Sequence, residues 1–212
     1  MASDYFRELF ATSLALAGRL PLTLKPAPMV HVTGILEPAV EQARATSPFL
    51  APSRDVLSAH RRALQGSAGP AVGLNTVGLM LDRLSILAAK HWNLTYRSNK
   101  PEAAAELERT QIAELAAALG EARPGHSSIN NKMTNREVQA SSASFAEAYY
   151  GLFTTNLLLW ESQEVLYNHD ISLLPCDELR AYIDFFSRGN LARNKYIQSS
   201  DELFWRLVSE TI

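Results

Sequence analysis

Several side chains able to donate, accept or carry charge stand in the apolar stripes of this chain. In "GLFTTNLLLWESQEVLYN", Asn156 and Glu164 share a stripe with Phe153, Leu157 and Trp160 at spacings of three or four. In "NLARNKYIQSSDELFW", Asn194 and Asp201 share one with Ile197, Phe204 and, further on, Val208. Asp82 and Ser85 flank a third stripe, which starts at Val77. A carboxylate on a buried face is costly unless it is paired, so Asp201 and Glu164 call for partners such as Arg193, Arg83 or Lys90. Two uses follow. The groups can interlock as a hydrogen-bond network that fixes helix register. Alternatively they line a polar pocket between helices, with Tyr149, Tyr150, Tyr167 and Trp160 as aromatic walls. In the pocket reading Trp160 stacks on a small polar ligand, with Asn156 and Asp82 beside it. Glu164, Asn194 and Asp201 then supply acceptors and donors, and Arg193 meets an anionic group. Any acid–base chemistry falls to Asp201 or Glu164, whose pKa burial would raise.

Metal chemistry finds less support. The histidines are His31, His60, His91, His126 and His169, and none has a Glu three positions before it. The Glu-x-x-His pairs of di-iron helical bundles are therefore missing, as is the His-Glu-x-x-His pattern of zinc hydrolases. The doublet His169-Asp170 resembles the metal-binding pair of HD phosphohydrolases, with His126 and Asp201 in order for the remaining ligands. A helix-ending turn explains the doublet more simply, so the expectation is no metal. Cys176 is the single cysteine, which rules out an intrachain disulfide, and beside Pro175 it reads as a half-buried thiol. No phosphate loop and no nucleophile elbow occur, and no cofactor is implied.

The elements that position these residues are helical. The 212 residues are 47% hydrophobic and 20% charged, enough apolar material for one sizeable core. A net charge of −2 with no basic cluster argues against nucleic acid as a partner. No run reaches the roughly 18 apolar residues of a membrane span. The N-terminal stretch lacks the basic start of a signal peptide, since Asp4 and Glu8 stand there, so a cytoplasmic location is expected. Tyr5, Phe6, Leu9, Phe10, Leu14 and Leu16 instead outline one face of a helix opened by Ser3 or Asp4. A Pro-rich connector follows, then short helices around 35–46 and 55–64, the second capped by Ser53.

From Thr76 the periodicity strengthens. Val77, Leu81, Leu84, Ala88 and Trp92 mark one helix, and Pro101 opens another that Gly120 closes. Residues 121–134 read as a polar loop. The longest helix is expected over 135–167, then a short one to Phe186, with Gly189 separating it from a last helix ending near Val208. The expectation is an all-α fold, an antiparallel bundle of about four main helices with additional N-terminal helices. Residues 1–70 form an arm or lid on a bundle core of 71–212, together one compact domain.

"LLLWESQE" followed by "RNKYIQSSD", with "LDRLSIL" earlier, resembles an uncharacterised bacterial all-helical domain encoded near cell-surface glycan biosynthesis genes. The resemblance spans roughly 76–208 and rests on Leu159, Trp160, Glu164, Arg193, Asn194, Ile197 and Asp201. Gln163 and Gln198 stand where that pattern has acids, which weakens any metal set there. The resemblance implies a small-molecule binding protein, or a non-classical enzyme of a bacterial biosynthetic pathway, acting on a polar, sugar-derived ligand. The alternative is a structural or adaptor protein whose helices form a homo-oligomer or partner interface. The third reading is the HD-type phosphohydrolase.

Overall fold

A computed structural model describes residues 2–18, 34, 37–38, 41–42, 45, 52–65, 76–124, 142–168 and 170–211. The described residues contain helices and no strand, as the sequence predicts. In chain order these are α1 (Ala2–Ala17), α2 (Arg54–Gln65), α3 (Val77–Trp92), α4 (Pro101–Gly120), α5 (Phe145–Tyr167) and α6 (Cys176–Glu210). A π turn, Asn93–Arg97, prolongs α3, and a 3-10 turn, Ile171–Leu173, links α5 to α6.

Local chemistry sets these boundaries. The Thr76 hydroxyl accepts from Leu79 N–H and starts α3. After the π turn, Asn99 takes a left-handed conformation at φ 51°, and Pro101 then opens α4 at a position where its missing N–H costs nothing. Ser144 and Glu147 make a reciprocal cap for α5: the Ser144 hydroxyl accepts from Glu147 N–H, and the Glu147 carboxylate accepts from Ala143 N–H. Ser53 caps α2 as expected, its hydroxyl accepting from Val56 N–H.

Two boundaries differ from the sequence reading. The described part of α5 begins at Phe145, since Ser142, Ala143 and Ser144 are not helical. Residues 135–141 lie outside the described set. The longest helix is α6, which runs unbroken through Gly189. A Cβ there would meet Leu159 Cδ2 at 2.8 Å, so that glycine serves close packing on α5 and not chain termination. Cys176, at the start of α6, is exposed and not half-buried. Of the expected helix over 35–46, the described residues 37–38, 41–42 and 45 are helical. The expected connector and most of the 121–134 loop fall outside the described residues.

Three close approaches define the bundle. Gly151 lies against Tyr196 and Gly189 against Leu159, so α5 and α6 run antiparallel. Gly78 lies against Ile197 while Asp82 meets Arg193, so α3 and α6 are antiparallel as well. His91 near the end of α3 pairs with Glu108 in the first half of α4, while Leu79 and Ala118 line one cleft, so these two helices are antiparallel too. One apolar cluster joins all six helices, from Phe6 and Leu9 of α1 through Val56 of α2 to Leu84, Ile112, Phe153 and Phe204. Tyr149 reaches α1 with its hydroxyl, which hydrogen-bonds to Ser13.

Candidate functional site

At the crossing of α3, α5 and α6 the polar residues of two stripes meet. Asp82 is buried at 6% exposure, and its carboxylate takes two parallel N–H donors from Arg193, Nε to Oδ1 at 2.7 Å and Nη2 to Oδ2 at 2.5 Å. Asn156 Nδ2 donates to the same Oδ1 at 2.8 Å and to Ser85 Oγ at 2.6 Å. The Ser85 hydroxyl then donates to the Asp82 carbonyl at 2.8 Å. The carboxylate raises the Arg193 guanidinium above its ordinary pKa, so this cation keeps its proton. The fork-on-carboxylate geometry fixes both side chains.

Asp201 stands elsewhere and does different work. Its Oδ1 accepts from Val77 N–H at 2.8 Å and Gly78 N–H at 3.4 Å, so a side chain of α6 caps the first turn of α3. At 1% exposure, burial pushes its carboxyl up to about 6. The two backbone N–H groups oppose that rise. The indole of Trp205 also favours the charged form, though its Nε1 lacks full hydrogen-bond geometry.

Glu164 is half-buried near the end of α5, where Asn168 donates to its carbonyl and, more weakly, its carboxylate. In the α5–α6 register Asp201 is level with the first turn of α5, so roughly 25 Å of helix separates it from Glu164. Asn194 is half-buried and makes no side-chain hydrogen bond among the described residues. Trp160 is half-buried, and its sealed Nε1 has no hydrogen-bond partner among the described residues. Tyr149 and Tyr150 are buried, while Tyr167 is 77% exposed, so the four aromatics do not wall one cavity. The structure thus joins Asp82, Asn156 and Arg193, and leaves Glu164, Asn194 and Asp201 apart.

No family model, no curated protein and no solved structure matches the chain.

One polar pair escaped the sequence reading. Arg97 in the π turn grips Glu161 on α5 with Nη1 to Oε1 at 2.9 Å and Nη2 to Oε2 at 2.6 Å. Its guanidinium also lies 4.6 Å from the centre of the Trp92 ring. Glu161 is fully buried, and desolvation pushes its carboxyl up while Arg97 pulls it back. The signal for Glu161 is its i,i+4 spacing from Leu157, which places it on an apolar face.

Two clefts open beside this frame. One of about 350 Å³ lies between α3 and α4, with Leu79 and Leu115 beneath and Asp82, Arg83, Gln111 and Glu114 around it. The other, about 390 Å³, lies between α5 and α6 and is mostly apolar, with Leu158, Phe185 and Ala192 beside the Asp184–Arg188 pair. Among the described residues no group of three His, Cys, Asp or Glu side chains is placed to hold a metal. Of the HD candidates, His126 and His169 lie outside the described residues. Asp170 is exposed and caps the 3-10 turn, its Oδ1 accepting from Ser172 N–H at 2.9 Å, which lowers its pKa. Among the described residues no helix is long and apolar enough to cross a membrane.

Proposed function

We propose that this chain is a binding protein for a small polar ligand, which it holds in the α3–α4 cleft. The observation that carries this reading is the double role of Asp82. Both oxygens of its carboxylate are held by Arg193, one of them by Asn156 as well, and the same residue lines the cleft. A wall residue locked by its neighbours loses little freedom when a ligand arrives. Arg83, beside it on α3, and Glu114, on α4, also line the cleft and have no hydrogen-bond or ion-pair partner among the described residues, so a cation and an anion are both available. Leu79 and Leu115 supply an apolar floor. Asp82, Arg193 and Asn156 position the wall, and Arg83, Gln111 and Glu114 make the contacts. Asp201 is a helix cap in this reading and not an acid or base of a reaction.

The likeness of residues 76–208 to the glycan-associated helical domain makes sugar-derived ligands the first class to test, in a cytoplasmic biosynthetic setting. Titrating neutral, amino and acidic monosaccharides while following backbone amide NMR signals is the direct experiment. Shifts confined to residues 79–83 and 111–118, and abolished by Arg83→Ala with Glu114→Ala, are expected. Shifts elsewhere, or shifts that survive both substitutions, would overturn the assignment.

A second reading has its own observation. Tyr167, Ile171, Leu173 and Ile183 are exposed within one short stretch of chain, Leu173 at 80%. An adaptor or self-associating bundle would use such a surface. Molar mass by light scattering, for the wild type and Leu173→Glu, distinguishes the two: a ligand-binding monomer shows one mass in both.

A further inference from the structure

Both ring nitrogens of His60 face carbonyl oxygens. Nδ1 lies 2.7 Å from the Val56 carbonyl one turn back on α2, and Nε2 lies 2.7 Å from the Leu119 carbonyl at the end of α4. A carbonyl only accepts, and a neutral imidazole has one N–H, so a neutral ring would set a nitrogen lone pair against an oxygen lone pair. Only the doubly protonated ring satisfies both contacts. The ring is 7% exposed and edge-on to Phe204 and Trp205 of α6, so water cannot step in as the missing donor on the buried side.

The place suits a cation. Leu119 belongs to the last turn of α4, the negative end of a 20-residue helix. The adjacent residue repeats the arrangement: Arg61 Nη2 donates at 2.6 Å to the Thr211 carbonyl, just past the end of α6. Adjacent side chains of α2 therefore each meet the carbonyl end of a different long helix. The charged side chains on the surrounding elements are Arg54, Asp55, Arg61 and Arg62 on α2, Glu121 and Arg123 after α4, and Asp201, Glu202, Arg206 and Glu210 on the end of α6. None of them hydrogen-bonds or ion-pairs with the ring.

We propose that α2 is a proton-dependent latch: the His60 imidazolium fastens it across the ends of α4 and α6, and loss of that proton releases it. Release costs the His60–Leu119 bond and uncovers Phe204 and Trp205. Arg61 gives a fixed, pH-independent hold, whereas His60 gives the switchable one.

The test follows the full chain from pH 5 to pH 9 by two readouts at once. Ring ¹⁵N shifts report whether His60 carries one proton or two. Amide-exchange protection, corrected for the intrinsic exchange rate, reports whether residues 54–65 are docked. The expected result is that double protonation and protection are lost together, protection falling at least tenfold, while α5 stays protected. In His60→Gln, which keeps one donor and cannot titrate, the step in α2 protection should vanish. A ring with a single proton while α2 remains fully protected would overturn the proposal. So would a pH step in α2 protection that persists in His60→Gln. Should that variant fail to fold, the wild-type titration alone decides.

Discussion

Arg193 on α6 holds Asp82 on α3 by two parallel N–H···O bonds, and Asn156 on α5 donates to the same carboxylate. Three helices therefore converge on one anion. Removing one member of a buried pair leaves its partner uncompensated, at a cost of about 3 kcal/mol. Arg193→Met should lower unfolding stability by about that amount in urea, without a change in the denaturant slope. Arg193→Lys should lose less, because it keeps the charge and forfeits only the fork. Combining Arg193→Met with Asp82→Asn should cost clearly less than the two single losses added together, the mark of a direct coupling.

Asp201 gives a pH dependence with a definite sign. Burial lifts its carboxyl to about 6 in the folded chain, from an ordinary 3.8. Between those values the folded state holds a proton that the unfolded state has released, so stability from this group falls as pH rises from about 4 to above 6. At about 1.4 kcal/mol per pKa unit, the full effect approaches about 3 kcal/mol. Asp201→Asn keeps an oxygen acceptor for Val77 N–H and cannot ionise. Its stability curve should be flatter than wild type over that window and should lie above it near pH 7. Urea midpoints at pH 4.5, 5.5 and 7 suffice to check this.

Gly78 has no room for a side chain. A Cβ there would come within 2.0 Å of the Ile197 carbonyl oxygen, a backbone atom that cannot rotate aside. Gly78→Ala must therefore push α3 away from α6, and the capping bonds from Val77 and Gly78 to Asp201 would stretch with it. A loss of about 3 kcal/mol is expected, read as a fall in Tm. A helix interior otherwise gains from the same exchange, by about 1 kcal/mol, so an unchanged or raised Tm would contradict the close crossing.

The pair Arg97–Glu161 behaves as a second buried lock at the other end of α3. Arg97→Ala leaves a fully buried carboxylate with no cation and should cost about 3 kcal/mol. Adding Glu161→Gln to that variant should recover part of the loss, because a neutral amide is cheaper to bury than an orphaned charge. Thermal melts of the single and double variants settle the point.

The architecture was legible because most helices announce themselves by stripe and cap: Thr76, Pro101 and Ser53 mark starts that the structure keeps. Gly189 misled, since a glycine in a helix can signal either an end or a close neighbour, and only the approach of Leu159 distinguishes these. Within the candidate site, Asp82, Asn156 and Arg193 could be picked out as polar residues in or beside apolar stripes. Their meeting could not, because 111 residues separate Asp82 from Arg193 and periodicity is blind beyond one helix. The same blindness grouped Asp201 with Glu164, although their helices carry them to opposite ends of the bundle. The ring contacts of His60 carry no sequence signal, since both partners are backbone carbonyls.

The separation between Asp82 and Arg193 also bears on how the chain assembles. α3 and α4 are near neighbours in sequence and can pair early, and so can α5 and α6, joined by a short turn. Bringing the two hairpins together closes a long loop, whose entropic cost precedes any reward. The ion pair forms in one frame only, so it favours correct docking of the two hairpins. Slipping α3 by one turn would move Asp82 about 5.4 Å along α6, strand a charge, and set a larger side chain where Gly78 must pass. Docking in the wrong frame is thus penalised in two independent ways before the last hydrophobic surface is buried.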